Sequence, residues 1–248
     1  MRKLVASSVA AAVMAVAASA PATASAEPIE VGHIPKCLEA VPAAVAIPLG
    51  APLALDVRVL LDGVGQARGA AIMDTAKESY SRLGIALTPS FQSVSFSGTD
   101  AQGLIDQSKA LYGGTRPAGI DIVYTLTSKD IQAGGNTAVA GLADCIGGVA
   151  FADRAFGVGE NFTTDESLAI GPTALARNLT AKVAAHEIGH LMGGHHHYAN
   201  CAEGLLADPP PDELSPCTLM INAVDLASLN FGTPNGLVVR GHMEAYAP

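Results

Sequence analysis

The chain contains no tryptophan, and aromatic residues make up only 4% of it, so no stretch offers the successive rings on which nucleobases stack. Cations are scarce too: 14 Lys and Arg stand against 23 Asp and Glu, a formal net charge of −9. No basic patch and no Gly-rich phosphate loop is present. These absences argue against nucleic acid, or an anionic membrane surface, as a partner. Beyond the first two dozen residues there is no apolar run long enough to span a bilayer. No internal repeat, calcium-binding nonapeptide array or lipobox-like cysteine is found either.

What is present begins with a secretory leader. Arg2 and Lys3 form a basic start, Leu4 to Ala20 a small-residue apolar stretch, and Ala24-Ser25-Ala26 a cleavage site. A signal peptide over residues 1–26 is expected, with the mature, secreted chain beginning at Glu27 and no membrane contact after cleavage. The rival reading is an uncleaved anchor. Losing Arg2 and Lys3, and no acids, takes the charge from −9 to −11, which suits an extracellular protein that must stay soluble. Residues 27–54, rich in Pro and Ala, read as an N-terminal extension, and residues 55–248 are long enough for one domain with a full core. Oligomeric state is left open.

The chemistry is concentrated in one segment, His186-Glu187-Ile188-Gly189-His190-Leu191-Met192-Gly193-Gly194-His195-His196. On a helix, residues four apart share a face, so His186 and His190 can aim two imidazoles at one metal. Glu187, one position on, points too far round to be a ligand but is placed to reach a water on that metal. Gly193 can take the left-handed conformation that ends a helix, after which His196 returns as the third ligand. Three protein ligands and a water make the open site of a catalytic zinc, one ion per chain. Glu187 is then the general base and acid of a hydrolysis. The neighbouring His195 and His197 are expected outside the ligand set.

The rest of the chain supplies a scaffold. Residues 55–61 read as a buried strand. Residues 66–83 read as a helix with Ile72, Met73, Ala76, Tyr80 and Leu83 on one stripe, stopped by Gly84. Residues 85–96 read as a strand interrupted by Pro89, and Thr99 is expected to cap a helix running to Leu111. Residues 120–126 read as a strand buried on both faces. This alternation implies an α/β fold with a mostly parallel sheet. Short strands are expected near 139–142 and 148–151, a surface loop over 159–171, a long helix capped by Thr173 and reaching Met192, and a short closing helix over 222–230. The sequons at Asn161 and Asn178 are read as coincidences of composition.

Serine or cysteine nucleophiles lack a partner: only His33 and His242 lie outside the histidine-rich segment, and neither has a recognisable nucleophile context. Three other readings stay open. One is a zinc peptidase whose third ligand is a later carboxylate such as Glu213. The second is a zinc-holding adhesion or binding module without catalysis, and the third is a metal-buffering protein built on the histidine run.

The extended motif, with Met220 downstream in Cys217-Thr218-Leu219-Met220-Ile221-Asn222, resembles the metzincin zinc metalloproteases. Cys201, Cys217, Leu126-Thr127-Ser128-Lys129-Asp130 and Ala140-Gly141-Leu142-Ala143 are similar to the reprolysin (adamalysin) branch, although His197 stands where that branch usually carries Asp. The resemblance covers roughly residues 55–230. It implies a zincin-type α+β fold: a twisted, mostly parallel sheet with an antiparallel edge strand, a long active-site helix, and a smaller C-terminal part. Met220 would lie in a turn beneath the imidazoles. It also implies a secreted endopeptidase that binds protein or peptide substrate in extended form along the edge strand near Gly141–Ala143, with a specificity pocket built by residues 221–224 and the loop 205–216.

Four cysteines allow three disulfide connectivities. The resemblance favours Cys201–Cys217, joining the loop after the third ligand to the Met turn, and leaves Cys37–Cys145. Alternatively, His33-Ile34-Pro35-Lys36-Cys37 resembles the cysteine-switch peptides of metzincin prodomains, in which case Cys37 would fill the open zinc position.

Overall fold

The computed structural model describes Cys37 and residues 51–162, 179–196, 218–222 and 229–247. The leader, most of the extension, Thr173, His197, Cys201, Cys217 and residues 223–228 lie outside these, and with them the Cys201–Cys217 pairing, the helix start at Thr173 and most of the 222–230 segment.

Among the described residues the fold is a five-stranded sheet with four α-helices. The strands are β1 (Leu53–Asp62), β2 (Ile85–Val94), β3 (Ile122–Thr127), β4 (Gly141–Ala143) and β5 (Phe156–Glu160), in the order β2-β1-β3-β5-β4. β1, β2, β3 and β5 run parallel, while β4 pairs antiparallel with β5 at the edge. This is the mostly parallel zincin-type sheet with one reversed edge strand. β1 starts two residues before the expected domain boundary at 55. All six residues of β3 are buried, as its run of branched apolar residues requires, each Ile, Val or Leu contributing about 1.5–3 kcal/mol.

Helix α1 (Gln66–Ser81) connects β1 to β2 and buries Ile72, Met73, Ala76 and Tyr80, with Gly84 at φ 69° ending the turn. Helix α2 (Ala101–Leu111) connects β2 to β3. Its cap is Asp100 rather than Thr99, the carboxylate accepting the Gly103 amide at 2.8 Å. Pro89 does not interrupt β2, which is an outer strand. It sits in register opposite Val57, where a missing N–H on the open side costs no ladder bond.

Two corrections bear directly on the site. Residues 148–150 form a short 3-10 helix, not a strand. The stretch expected to open a surface loop at residue 159 instead ends β5, a central strand between β3 and β4. The sequence Phe156-Gly157-Val158-Gly159-Glu160 looks turn-like because of its glycines. Those glycines serve contact instead: a Cβ on Gly157 would lie 3.4 Å from Leu191, and one on Gly159 would lie 3.0 Å from Val183 and collide with the Tyr124 hydroxyl. Leu191 and Val183 belong to helix α3 (Leu179–Leu191), which is buried along its whole described length. The bare backbone of β5 lets this helix settle onto the sheet. The Tyr80 hydroxyl donates to the Ala185 carbonyl at 2.5 Å, tying α1 to α3.

The last described helix is α4 (Thr233–Tyr246), which the sequence pattern did not announce. Pro234, Gly236 and Gly241 mask its period, but Pro is tolerated in a first turn. Its buried Arg240 donates to the carbonyls of Leu83 and Ala51, both at 2.6 Å, and pairs with Glu244 at 3.0 Å. A disulfide joins Cys37 to Cys145, just beyond β4, and the Cys37 amide donates to Ile146 O at 3.0 Å. The Cys37 sulfur is therefore engaged in a bond and is not the free thiolate that a cysteine switch needs. Beside it the buried Asp144 accepts from Lys109 at 2.9 Å and Arg154 at 2.5 Å.

Candidate metal centre

Helix α3 presents His186, Glu187 and His190, all fully buried. It ends in a glycine turn. Gly193 has φ 88°, its amide donates to His190 O at 2.9 Å, and the Gly194 amide reaches back to Gly189 O at 2.9 Å. This is the bonding pattern of a left-handed helix terminus. The turn requires glycine twice over, since a Cβ on Gly193 would also lie 2.8 Å from the His242 ring. It sends the chain back so that His196 Nε2 lies 3.0 Å from His186 Nε2 and 3.0 Å from His190 Nε2, with 2.9 Å between the last two. Among the described residues these three histidines are the one group arranged to hold a metal.

The protonation of two rings can be read from their partners. His186 Nδ1 lies 2.7 Å from Leu219 O, and His190 Nδ1 lies 2.7 Å from Gly194 O. A carbonyl only accepts, so both Nδ1 atoms carry the proton and both Nε2 atoms turn bare lone pairs toward each other. Facing lone pairs at 2.9 Å repel unless a cation sits among them. Burial, and next His186 and His196, hold His190 well below the usual imidazole range, which keeps it neutral and ready to ligate. Imidazole nitrogen with the far N–H tied to a backbone carbonyl is a zinc donor of the usual kind, so these residues fit the ion.

Met220 is buried in a turn where Ile221 N donates to Thr218 O at 3.2 Å. Its sulfur would lie 3.1 Å from a Cβ on Gly189, and its methyl 3.2 Å from one on Gly194. The thioether thus packs under the helix end and the glycine turn as an apolar floor, and the residue before it, Leu219, supports His186.

Glu187 is buried with neither carboxylate oxygen hydrogen-bonded. Burial pushes its carboxyl well above the ordinary range, partly offset by the Ala143 amide, which lies close without reaching hydrogen-bond geometry. The carboxylate abuts β4. A Cβ on Gly141 would lie 2.6 Å from Oε1. The edge strand and the carboxylate are therefore in contact.

Sequence reasoning missed several supporting residues. Gly141 was read as part of the substrate-binding edge strand, but not as the residue whose missing side chain makes room for Glu187. Gly189 admits both Met220 and Phe231, the latter 2.9 Å from where its Cβ would be. Asn235 and His242 come from α4, which periodicity did not reveal.

A family profile described as metallopeptidase family M12B, reprolysin-like, matches residues 66–197, just over half of the 248. The chain belongs to this family. As an M12B reprolysin-like metallopeptidase, it has its family match running from α1 to one residue past the third histidine, so Met220 and α4 lie beyond it. Among solved structures the M12B fold is similar to an archaemetzincin from Methanopyrus kandleri, at 20% identity and TM-score 0.51, with 80% of this chain and 99% of that one covered. A second archaemetzincin, from Archaeoglobus fulgidus and complexed with malonate, shares 17% identity at TM-score 0.48, with 74% of this chain and 99% of that one covered. No curated protein matches. The M12B protein is thus a metallopeptidase, and the three-histidine group supports zinc as its metal.

Proposed function

We propose that the protein is a secreted zinc endopeptidase in which His186, His190 and His196 hold the metal and Glu187 is the general base and acid. The observation that carries this reading is a buried, unpartnered carboxylate set against the edge strand, on the same helix as two of an inward-facing trio of imidazole nitrogens and one residue on from the first of them. Metal binding alone has no use for Glu187, which argues against a zinc-holding module without catalysis.

Zinc, when bound, supplies a Lewis acid for the scissile carbonyl and brings a water toward neutral pKa. The rest falls to the chain. An extended peptide adds to β4 through backbone hydrogen bonds along Gly141–Ala143, which fixes its direction and brings one carbonyl to the site. Glu187 accepts the proton of the attacking water and then donates it to the departing amine. The raised proton affinity of its carboxyl favours the first half of that transfer, and the surrounding helix and sheet exclude bulk water. No covalent acyl intermediate is required.

Secretion rests on the basic, apolar and Ala24-Ser25-Ala26 segments of the leader. Cleavage-site profiling of the purified protein on a peptide library tests the enzymatic reading. Internal cuts that vanish with a zinc chelator and return with added zinc are expected. Trimming of chain ends alone would reject an endopeptidase, and no hydrolysis in the zinc-loaded protein would favour the binding module. N-terminal sequencing of material from the medium should begin at Glu27.

A further inference from the structure

Helix α4 lies outside the segment that carries the zinc motif, yet it grips that motif by one side chain. Asn235, in the first turn of α4, is buried; its Oδ1 accepts the His195 amide and its Nδ2 donates to the His195 carbonyl, both at 2.9 Å. The orientation of the amide is fixed, since a flip would set donor against donor and acceptor against acceptor.

The two atoms gripped belong to different peptide groups. The His195 N–H shares its peptide with the Gly194 carbonyl, which accepts from His190 Nδ1 at 2.7 Å. The His195 carbonyl shares its peptide with the nitrogen of His196, the third imidazole of the trio. One carboxamide therefore spans the peptide that supports the second ligand and the peptide that leads into the third.

Both ends of this bridge matter physically. His196 follows Gly193 and Gly194, two residues with wide backbone freedom, and each residue ordered only when metal arrives would add its conformational entropy to the cost of binding. A peptide that donates at its N–H is also a stronger acceptor at its carbonyl, which tightens the hold on His190 and raises that ring's basicity. The platform is rigid, because Arg240 bolts α4 to Leu83 and Ala51.

We propose that Asn235 is a positioning residue of the zinc site: it pre-sets His196 and braces His190 through the two peptides flanking His195. This rests on the zinc-peptidase reading above. The role needs a donor and an acceptor on one short side chain. Asp keeps only the acceptor, and Ala keeps neither.

The test uses the full secreted chain and three variants, reading zinc affinity by competition with a chromophoric chelator and the visible spectrum of the cobalt(II)-substituted protein. Asn235→Ala should weaken zinc binding about 10- to 100-fold and shift the cobalt bands. Asn235→Asp should lose less. Acidic residues are favoured in a helix's first turn, so this variant reports even where the alanine variant does not fold. Val239→Ala, at a fully buried α4 position one turn on that makes neither of the clamp's hydrogen bonds, should lower the melting temperature yet leave zinc affinity and spectrum unchanged. Wild-type affinity and spectrum in both Asn235 variants would overturn the proposal. So would a Val239→Ala variant that loses as much affinity as Asn235→Ala, because α4 would then act only by its stability. A wild-type chain that takes up no zinc would instead sink the metal centre itself, and the clamp's role with it.

Discussion

A methyl group on Gly141 would lie 2.6 Å from Oε1 of Glu187 and 2.7 Å from its Cγ. The edge strand and the carboxylate share one space, and the absence of a side chain at 141 is what lets them do so. Gly141→Ala should therefore displace the carboxylate, and the Val183 side chain 2.8 Å away, with no clash at an imidazole. We expect zinc content to stay near one per chain and kcat/KM to fall about 100-fold, the scale on which a 1 Å misplacement acts. Metal analysis beside steady-state kinetics checks this. Unchanged kcat/KM would show that Glu187 is not placed by β4.

Glu187→Gln keeps the shape of the side chain and removes its capacity to accept a proton. Zinc binding and fold should persist while peptide hydrolysis drops by at least about 100-fold, the usual worth of a general base. Near-normal turnover in the zinc-loaded variant would defeat the role assigned to this residue.

Acid stability should depend on Asp62. Burial alone would raise its carboxyl, but the Lys129 ammonium, the Phe96 amide and the Thr127 hydroxyl outweigh that and hold it below its ordinary value. A lowered carboxyl contributes stability that is in place above the unfolded value of 3.8 and is lost as pH falls through the folded one. Asp62→Ala should cost about 3 kcal/mol in urea melts at pH 7, by stranding Lys129, and much less near pH 2.

Glu160 should behave with the opposite sign. Burial, with Asp130 adding to it and the Ile131 amide opposing, raises its carboxyl to about 6. Its favourable contribution is complete below the unfolded value of 4.5 and lost as pH rises through about 6. Glu160→Gln should thus melt higher than wild type at pH 8, with the gap closing below pH 4.5. A gap independent of pH would contradict this.

Legibility of the fold tracked the strength of local period. β1, α1 and α2 were visible because their apolar residues repeat at 2 or near 3.6, with a stop signal at Gly84, and β3 because its branched apolar residues form a run. β5 was hidden because Gly157 and Gly159 are there to admit α3, a tertiary reason that looks locally like a turn. α4 was hidden by Pro234, Gly236 and Gly241. The cap at Asp100 was missed by one residue because Thr99 is an equally good capping type.

At the site, the trio of histidines was readable because a single helix and its glycine turn hold all three within eleven residues. Gly141 and Asn235 were not. The first acts by what it lacks. The second is a neutral amide forty positions from its partner, and nothing in local sequence marks such a residue as anything but polar surface.

The bond between Cys37 and Cys145 closes a span of 108 positions. A protease that nicked the chain anywhere between 38 and 50 would leave both fragments covalently joined, Cys37 still fastened beside the edge strand. Maturation by such a cut would be invisible on a non-reducing gel. Freeing the front piece would take a thiol as well as a protease.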